Sequence, residues 1–142
     1  MKTIHQKTWS IILLILWMTV IFYFSSRPGF STGLNQDRLI RKMAHVAEFA
    51  VLTLIAFRTA VLFTQTKLRK NKKRAILIAT FLFALVYALS DELHQRFVPH
   101  REGKLMDVAI DAIGILGALF IIHLAPKIKN YFSSLSSAKG KK

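Results

Sequence analysis

The chain has no cysteine, three prolines, six glycines and only seven acidic residues in 142. Without cysteine there is no disulfide framework, no thiolate metal site and no cysteine nucleophile. Sparse proline and glycine leave long stretches with nothing to interrupt a helix. No alternation of period two points to barrel strands. The acids are Asp37, Glu48, Asp91, Glu92, Glu102, Asp107 and Asp111, so none lies before position 37 or after 111. Charge of either sign is missing from residues 8–26.

Apolar residues make up 53% of the chain while the formal net charge is +14. The apolar content falls into four runs, which place spans at about 8–26, 43–63, 75–95 and 105–125. A helix needs about 20 mostly apolar residues to cross the hydrocarbon layer, and it satisfies its own backbone polar groups there. The expected fold is an all-α integral membrane protein, a small four-helix bundle over residues 1–132. The stretch 133–142 is basic, lacks apolar surface and is expected to be a disordered tail. A sizeable water-soluble domain is excluded, and the basic excess does not indicate a nucleic-acid partner.

That excess follows membrane topology instead. Lys2 and Lys7 precede the first span; Lys67, Arg69, Lys70, Lys72, Lys73 and Arg74 fill the loop between spans two and three. Lys127, Lys129, Lys139, Lys141 and Lys142 follow the fourth. Four spans put these thirteen on one side, against seven on the other: Arg27, Arg38, Arg41, Lys42, Arg96, Arg101 and Lys104. The preference of Lys and Arg for cytoplasmic loops then places both termini inside. The first run is longer than the apolar core of a signal peptide and has no small-x-small cleavage pattern, so it is expected to remain as a span.

Under that topology every acid lies outside or in the outer half of a helix. An ionisable side chain at the centre of a span costs roughly 2.5–3.5 kcal/mol, so such groups turn toward partners or a wet cavity. Arg41, His45 and Glu48 share one face of the second helix by their spacing; Tyr87, Asp91, His94 and Gln95 share one of the third. Glu92 points about 100° from that face. On the fourth helix Asp107, Asp111, Gly114 and Ala118 fall in one arc, with the small pair offering close approach to a neighbour.

His45, Glu48, Asp91, His94, Asp107 and Asp111 are therefore the candidate catalytic groups, and Arg41, Gln95, Arg101 and Ser26 the candidate substrate contacts. Imidazole with carboxylates suits a divalent metal or general acid–base work. Arginines at the rim suit a phosphate, and together these features fit a lipid phosphate or pyrophosphate. The competing structural reading is that the same groups pair with one another to hold the bundle together.

The run Arg41-Lys42-Met43-Ala44-His45-Val46-Ala47-Glu48-Phe49 resembles the second-helix signature of the VanZ-like family. So do Tyr87-Ala88-Leu89-Ser90-Asp91-Glu92-Leu93-His94-Gln95, Pro99-His100-Arg101, and Asp107, Asp111 and Gly114 beyond them. Ser25-Ser26 closing the first span fits as well. His100 falls where the family often has Gly, so the loop there is expected to differ in shape, and Asp111 falls where the family accepts Asp or Asn. The resemblance implies a multi-pass protein of the bacterial inner membrane. It also implies a link to the cell envelope and to antibiotic resistance of the teicoplanin type.

Two functional readings remain open at this point. One is an enzyme, a hydrolase or transferase acting on a lipid or lipid-linked cell-wall precursor. The other is a non-catalytic lipid-binding or structural protein. A transporter is a weaker third, because no Gly/Pro-broken helix marks a through-path. The topology has a direct test in a chain without native cysteine. Single cysteines at Ser31 and Gly103 should react with an impermeant thiol reagent on intact cells, and those at Thr66 and Ser137 should not. The reverse pattern overturns the orientation.

Overall fold

The computed structural model describes residues 2–28, 35–64, 70–101 and 103–139, with side chains over 4–28, 39–64, 70–101 and 103–126. Lys67, Arg69, Glu102, Lys141 and Lys142 lie outside the described residues, as do the side chains of Lys2, Asp37, Arg38, Lys127, Lys129 and Lys139. Four helices follow in order: α1 (Lys2–Ser25), α2 (Asn35–Thr64), α3 (Lys70–Gln95) and α4 (Leu105–Lys139). Each carries a stretch long and apolar enough to cross a membrane: Ile4–Ser25, Leu39–Thr64, Lys70–Gln95 and Leu105–Pro126. Among the described residues all regular structure is helical.

These stretches start a few residues before the apolar runs in α1, α2 and α3, because polar flanks such as Lys70 to Arg74 continue the helix. Pro28 follows the end of α1 and Pro99 the end of α3, and neither residue can continue a helix. Past Pro126, α4 keeps a helical backbone to Lys139, where the sequence predicts a disordered tail from Ser133. No glycine or further proline stands between Pro126 and Gly140 to stop it. Residues 140–142 lie outside the described residues.

Lipid gives helices no hydrophobic drive toward one another, so close backbone approach and interhelical polar bonds must hold a bundle together. The tightest approach is between α2 and α4. A Cβ built on Gly114 would lie 2.1 Å from the Val46 carbonyl oxygen and 3.2 Å from the Ala50 nitrogen. The small stripe expected on α4 is therefore the surface that meets α2, and Ala118 is buried one turn further on. A second stripe, Thr80, Ala84 and Ala88, runs along the buried side of α3. Ile21, Phe49, Leu52, Val108 and Ile115 join Ala84 and Ala88 in one core cluster.

Helix α1 has no small-residue stripe and is anchored differently. Trp17 Nε1 donates to the Glu48 carbonyl of α2 at 2.9 Å. Tyr87 of α3 donates to the Met18 carbonyl at 2.6 Å. Nearer the other end Thr59 Oγ1 donates to the Ser10 carbonyl at 3.3 Å, and the Lys7 ammonium sits 5.2 Å from the centre of the Phe63 ring. The far ends of α1 and α3 and the first turns of α2 and α4 meet at one end of the bundle, and that end holds every described acid.

Adding one methyl at the α2–α4 crossing should be felt throughout the bundle. Gly114→Ala is expected to cost ~1–3 kcal/mol by forcing the helices apart, read as a lower melting temperature in detergent. Gly117, whose Cβ would meet nothing within 4 Å, should accept alanine without loss.

Candidate functional site

The acidic end is built from two polar groups. In the first, Ser25 of α1 donates through Oγ to Asp91 Oδ2 of α3 at 2.8 Å, and Gln95 Nε2 donates to the same oxygen at 2.8 Å. Arg101 Nη1 donates to Gln95 Oε1 at 3.4 Å. Beside this chain His94 Nε2 lies 3.0 Å from Ser26 Oγ, and the His94 ring sits 4.5 Å from that of Phe22. Ser26 already donates to the Phe22 carbonyl at 2.7 Å, so the His94 bond needs its proton on Nε2. All four residues placed on one face of α3 by their spacing thus meet the same helix, α1.

The second group joins α2 and α4. His45 Nδ1 lies 3.8 Å from Glu48 Oε2 and 3.8 Å from Asp111 Oδ1. Both distances are within reach of an ion pair and too long for a hydrogen bond. Asp111 is 1% exposed, and neither its Oδ2 nor His45 Nδ1 has a hydrogen-bond partner. Asp91 Oδ1, in the first group, is likewise unpartnered. Leaving one such buried group unsatisfied costs about 1–3 kcal/mol. The α2–α4 crossing sets this geometry, because Val46 touches Gly114 one residue after His45 and three after Asp111. The Phe49 ring lies 6.4 Å from that of His45 and 6.2 Å from that of Tyr87.

Of the six candidate catalytic residues, His45, Glu48 and Asp111 come together, Asp91 and His94 face α1, and Asp107 stands at the edge. Asp107 Oδ1 pairs with Lys42 Nζ at 3.1 Å, tying α4 to α2. Among the candidate contacts, Ser26 and Gln95 belong to the first group, and Arg41 lies one turn above His45 on α2. Among the described residues no set of three His, Asp or Glu side chains is placed to hold a metal ion.

Arg101 has a role that spacing does not reveal. Its Nε donates to the Arg27 carbonyl at 3.2 Å and its Nη2 to the Phe24 carbonyl at 3.1 Å. With Nη1 on Gln95, the guanidinium caps the carbonyl end of α1, where a cation is favoured. Burial pushes its pKa below the ordinary value, and the charge of Arg41 acts in the same direction. It stays cationic at neutral pH, since a guanidinium is not deprotonated in proteins.

The turn before Arg101 aims it. Arg101 N donates to the Val98 carbonyl at 3.1 Å, with Pro99 second and His100 third at a φ of 61°. Proline followed by a residue of positive φ is the type II pattern, which favours glycine third. The loop expected to differ in shape because of His100 therefore keeps the backbone conformation that glycine would supply.

Glu92 was expected away from the polar cluster, and it does point away from the Asp91 face. It is nonetheless buried, because the direction away from α1 is the direction of α4. Its Oε2 accepts the Lys104 N–H at 3.0 Å, placing a carboxylate at the start of a helix where the dipole favours it. Gly103 packs so closely that a Cβ there would lie 2.0 Å from the Glu92 carbonyl oxygen, and its own carbonyl accepts Arg96 Nε at 3.1 Å. A cysteine label at Gly103 would disturb this contact; Phe97, 80% exposed, is the better position for the outer-loop test.

With the geometry in place, the comparisons decide the relationship. A family model described as VanZ/LLP1 matches residues 10–126. The chain belongs to the VanZ-like family. No curated protein and no solved structure matches it. The VanZ-like match runs from the first span through the fourth and includes all ten candidate site residues.

The His100 turn supplies a test of the local geometry. His100→Gly should raise the melting temperature, by up to about 1 kcal/mol of relieved strain, whereas His100→Val should lower it. Equal melting of all three proteins would remove the type II turn.

Proposed function

We propose that this VanZ-like protein sits in the bacterial inner membrane with both termini cytoplasmic and its acidic end outward. There it handles a lipid-linked phosphate or cell-envelope precursor, and through that lowers sensitivity to teicoplanin-type glycopeptides. One observation carries the reading: a buried carboxylate and a half-buried imidazole, Asp111 and His45, hold polar atoms without partners. A bundle needs bonds that close, and these do not. Arg27 and Arg41 lie at the same end, and arginine suits a phosphate.

In the catalytic form of this reading, His45 and Glu48 exchange protons with the substrate. Asp91, satisfied through Oδ2 by Ser25 and Gln95, holds α1 against α3 instead. A non-catalytic form has support of its own. Apart from the unpartnered Asp91 Oδ1, the Ser25–Asp91–Gln95–Arg101 chain bonds to protein groups, as a structural network would, and the remaining group then binds a ligand without transforming it.

Variants separate these roles. His45→Ala and Glu48→Gln should remove protection against teicoplanin while leaving membrane abundance and detergent melting near wild type. Asp91→Ala should lower melting, because Ser25 Oγ and Gln95 Nε2 then lose the oxygen to which both donate. Loss of membrane abundance in both His45→Ala and Glu48→Gln would make the group structural and end the functional reading.

A further inference from the structure

The end of the bundle opposite the acids is basic. No acid occurs before Asp37, between Glu48 and Asp91, or after Asp111. Lys7 of α1 and Lys70, Lys72, Lys73 and Arg74 of α3 lie at that end, and α4 leaves the bundle there. The apolar stretch of α4, Leu105–Pro126, has 22 residues. At 1.5 Å per residue that is about 33 Å, enough to cross the hydrocarbon layer by itself. The chain past Pro126 therefore emerges at the level of the headgroups, while its backbone stays helical to Lys139.

The order of residues there is not that of a solvated tail. At 100° per residue Ile128, Tyr131, Phe132 and Leu135 fall within an arc of about 100°. Lys127 and Lys129 lie about 100° to either side of Ile128, and Asn130, Ser133, Ser134 and Ser137 fill the far side. Lys139 falls back into the apolar arc only at the last residue of the helix, where that face ends. A boundary drawn at Ser133 hides the pattern, because it cuts the arc between Phe132 and Leu135. Aromatic and aliphatic residues on one face with lysines at its borders mark a helix that lies in the plane of the interface. Pro126 supplies the bend, since its ring removes the hydrogen bond to the Ile122 carbonyl and loosens the helix at that point.

We propose that residues 127–139 dock on an anionic phospholipid surface, with the Ile128, Tyr131, Phe132 and Leu135 arc at the acyl boundary and Lys127 and Lys129 at the headgroups. Charge selects that occupant. Neither the basic end of the bundle nor the same end of a second copy offers the segment an acid, whereas an anionic leaflet attracts juxtamembrane lysines. This surface is separate from the acidic end and independent of any ligand there.

Because the chain has no cysteine, single spin labels can be placed along 127–137 of the full-length protein. The labelled proteins are held in nanodiscs of two compositions, phosphatidylcholine alone and seven parts of it to three of phosphatidylglycerol. Access of oxygen, which concentrates in the bilayer, is compared with access of a neutral, water-soluble nickel chelate. In the anionic discs the oxygen-to-nickel ratio should follow the helical period, at least threefold higher at Ile128, Phe132 and Leu135 than at Asn130, Ser133 and Ser137. In phosphatidylcholine alone that contrast should fall by half or more. Lys127→Gln/Lys129→Gln should bring the anionic discs to the same low level. Salt at about 1 M, which shortens the Debye length to about 3 Å, should weaken the contrast as well.

High nickel access at every position means that the segment projects into water, and overturns the proposal. A periodic pattern of equal size in both lipids shows apolar contact without charge selection, and overturns the anionic partner. Dipolar broadening between labels, with low access of both reagents along the arc, makes a second copy the occupant and overturns it too. The comparison of two lipids on one labelled protein stands even where the lysine variant fails to fold.

Discussion

The contact between Gly114 and the Val46 carbonyl sets the rest of the structure. In lipid no solvent pushes helices together, so how closely two backbones approach decides which side chains can meet. At this crossing α4 comes within a methyl's width of α2. The residue before Val46 is His45, and the residue one turn before Gly114 is Asp111. Both face the junction for the same reason that it is tight. A bulkier residue at 114 would move a carboxylate away from an imidazole as well as one helix away from another.

The other two helices are attached by different means. Helix α3 uses Ala84 and Ala88 along its buried side, while α1, apolar around its circumference, is held by side chains that reach neighbouring backbone or carboxylate. Trp17, Tyr87, Ser25 and Arg101 each supply one such bond. Those bonds concentrate at the acidic end and its middle turns. Much of the polar density there is thus needed to dock α1, and it should not be counted as catalytic equipment.

The four helices were legible because a run of about twenty apolar residues has few alternatives. The shared faces of Tyr87, Asp91, His94 and Gln95, and of His45 and Glu48, were legible because helical periodicity fixes direction around an axis. Which neighbour each face meets was not. Periodicity is a property of one helix, and pairing depends on the packing of four. For this reason the sequence could not tell that Asp91 bonds to α1 through Ser25 while Asp111 faces α2 beside His45, or that Glu92, read as outlying, is buried against α4. Arg101 was read by its charge as a phosphate contact. Its work on the carbonyls of Phe24 and Arg27 depends on a turn that only the backbone reveals. The glycine-like φ of His100 had one sequence signal, proline immediately before it, which favours the second position of that turn.

The two groups at the acidic end differ in a way that bears on function more than their composition does. Both contain carboxylates, and both bridge two helices. In the first, Asp91 Oδ2 accepts two hydrogen bonds and the chain continues to a guanidinium that caps a helix, so most of its capacity is met within the protein. In the second, distances of 3.8 Å keep His45 from completing a bond with either carboxylate. A closed network resists change, since each deletion leaves a buried partner behind. An open one is destabilising by itself. Two partnerless polar atoms there, His45 Nδ1 and Asp111 Oδ2, beside the close α2–α4 contact, are the part of the fold that helix packing does not explain.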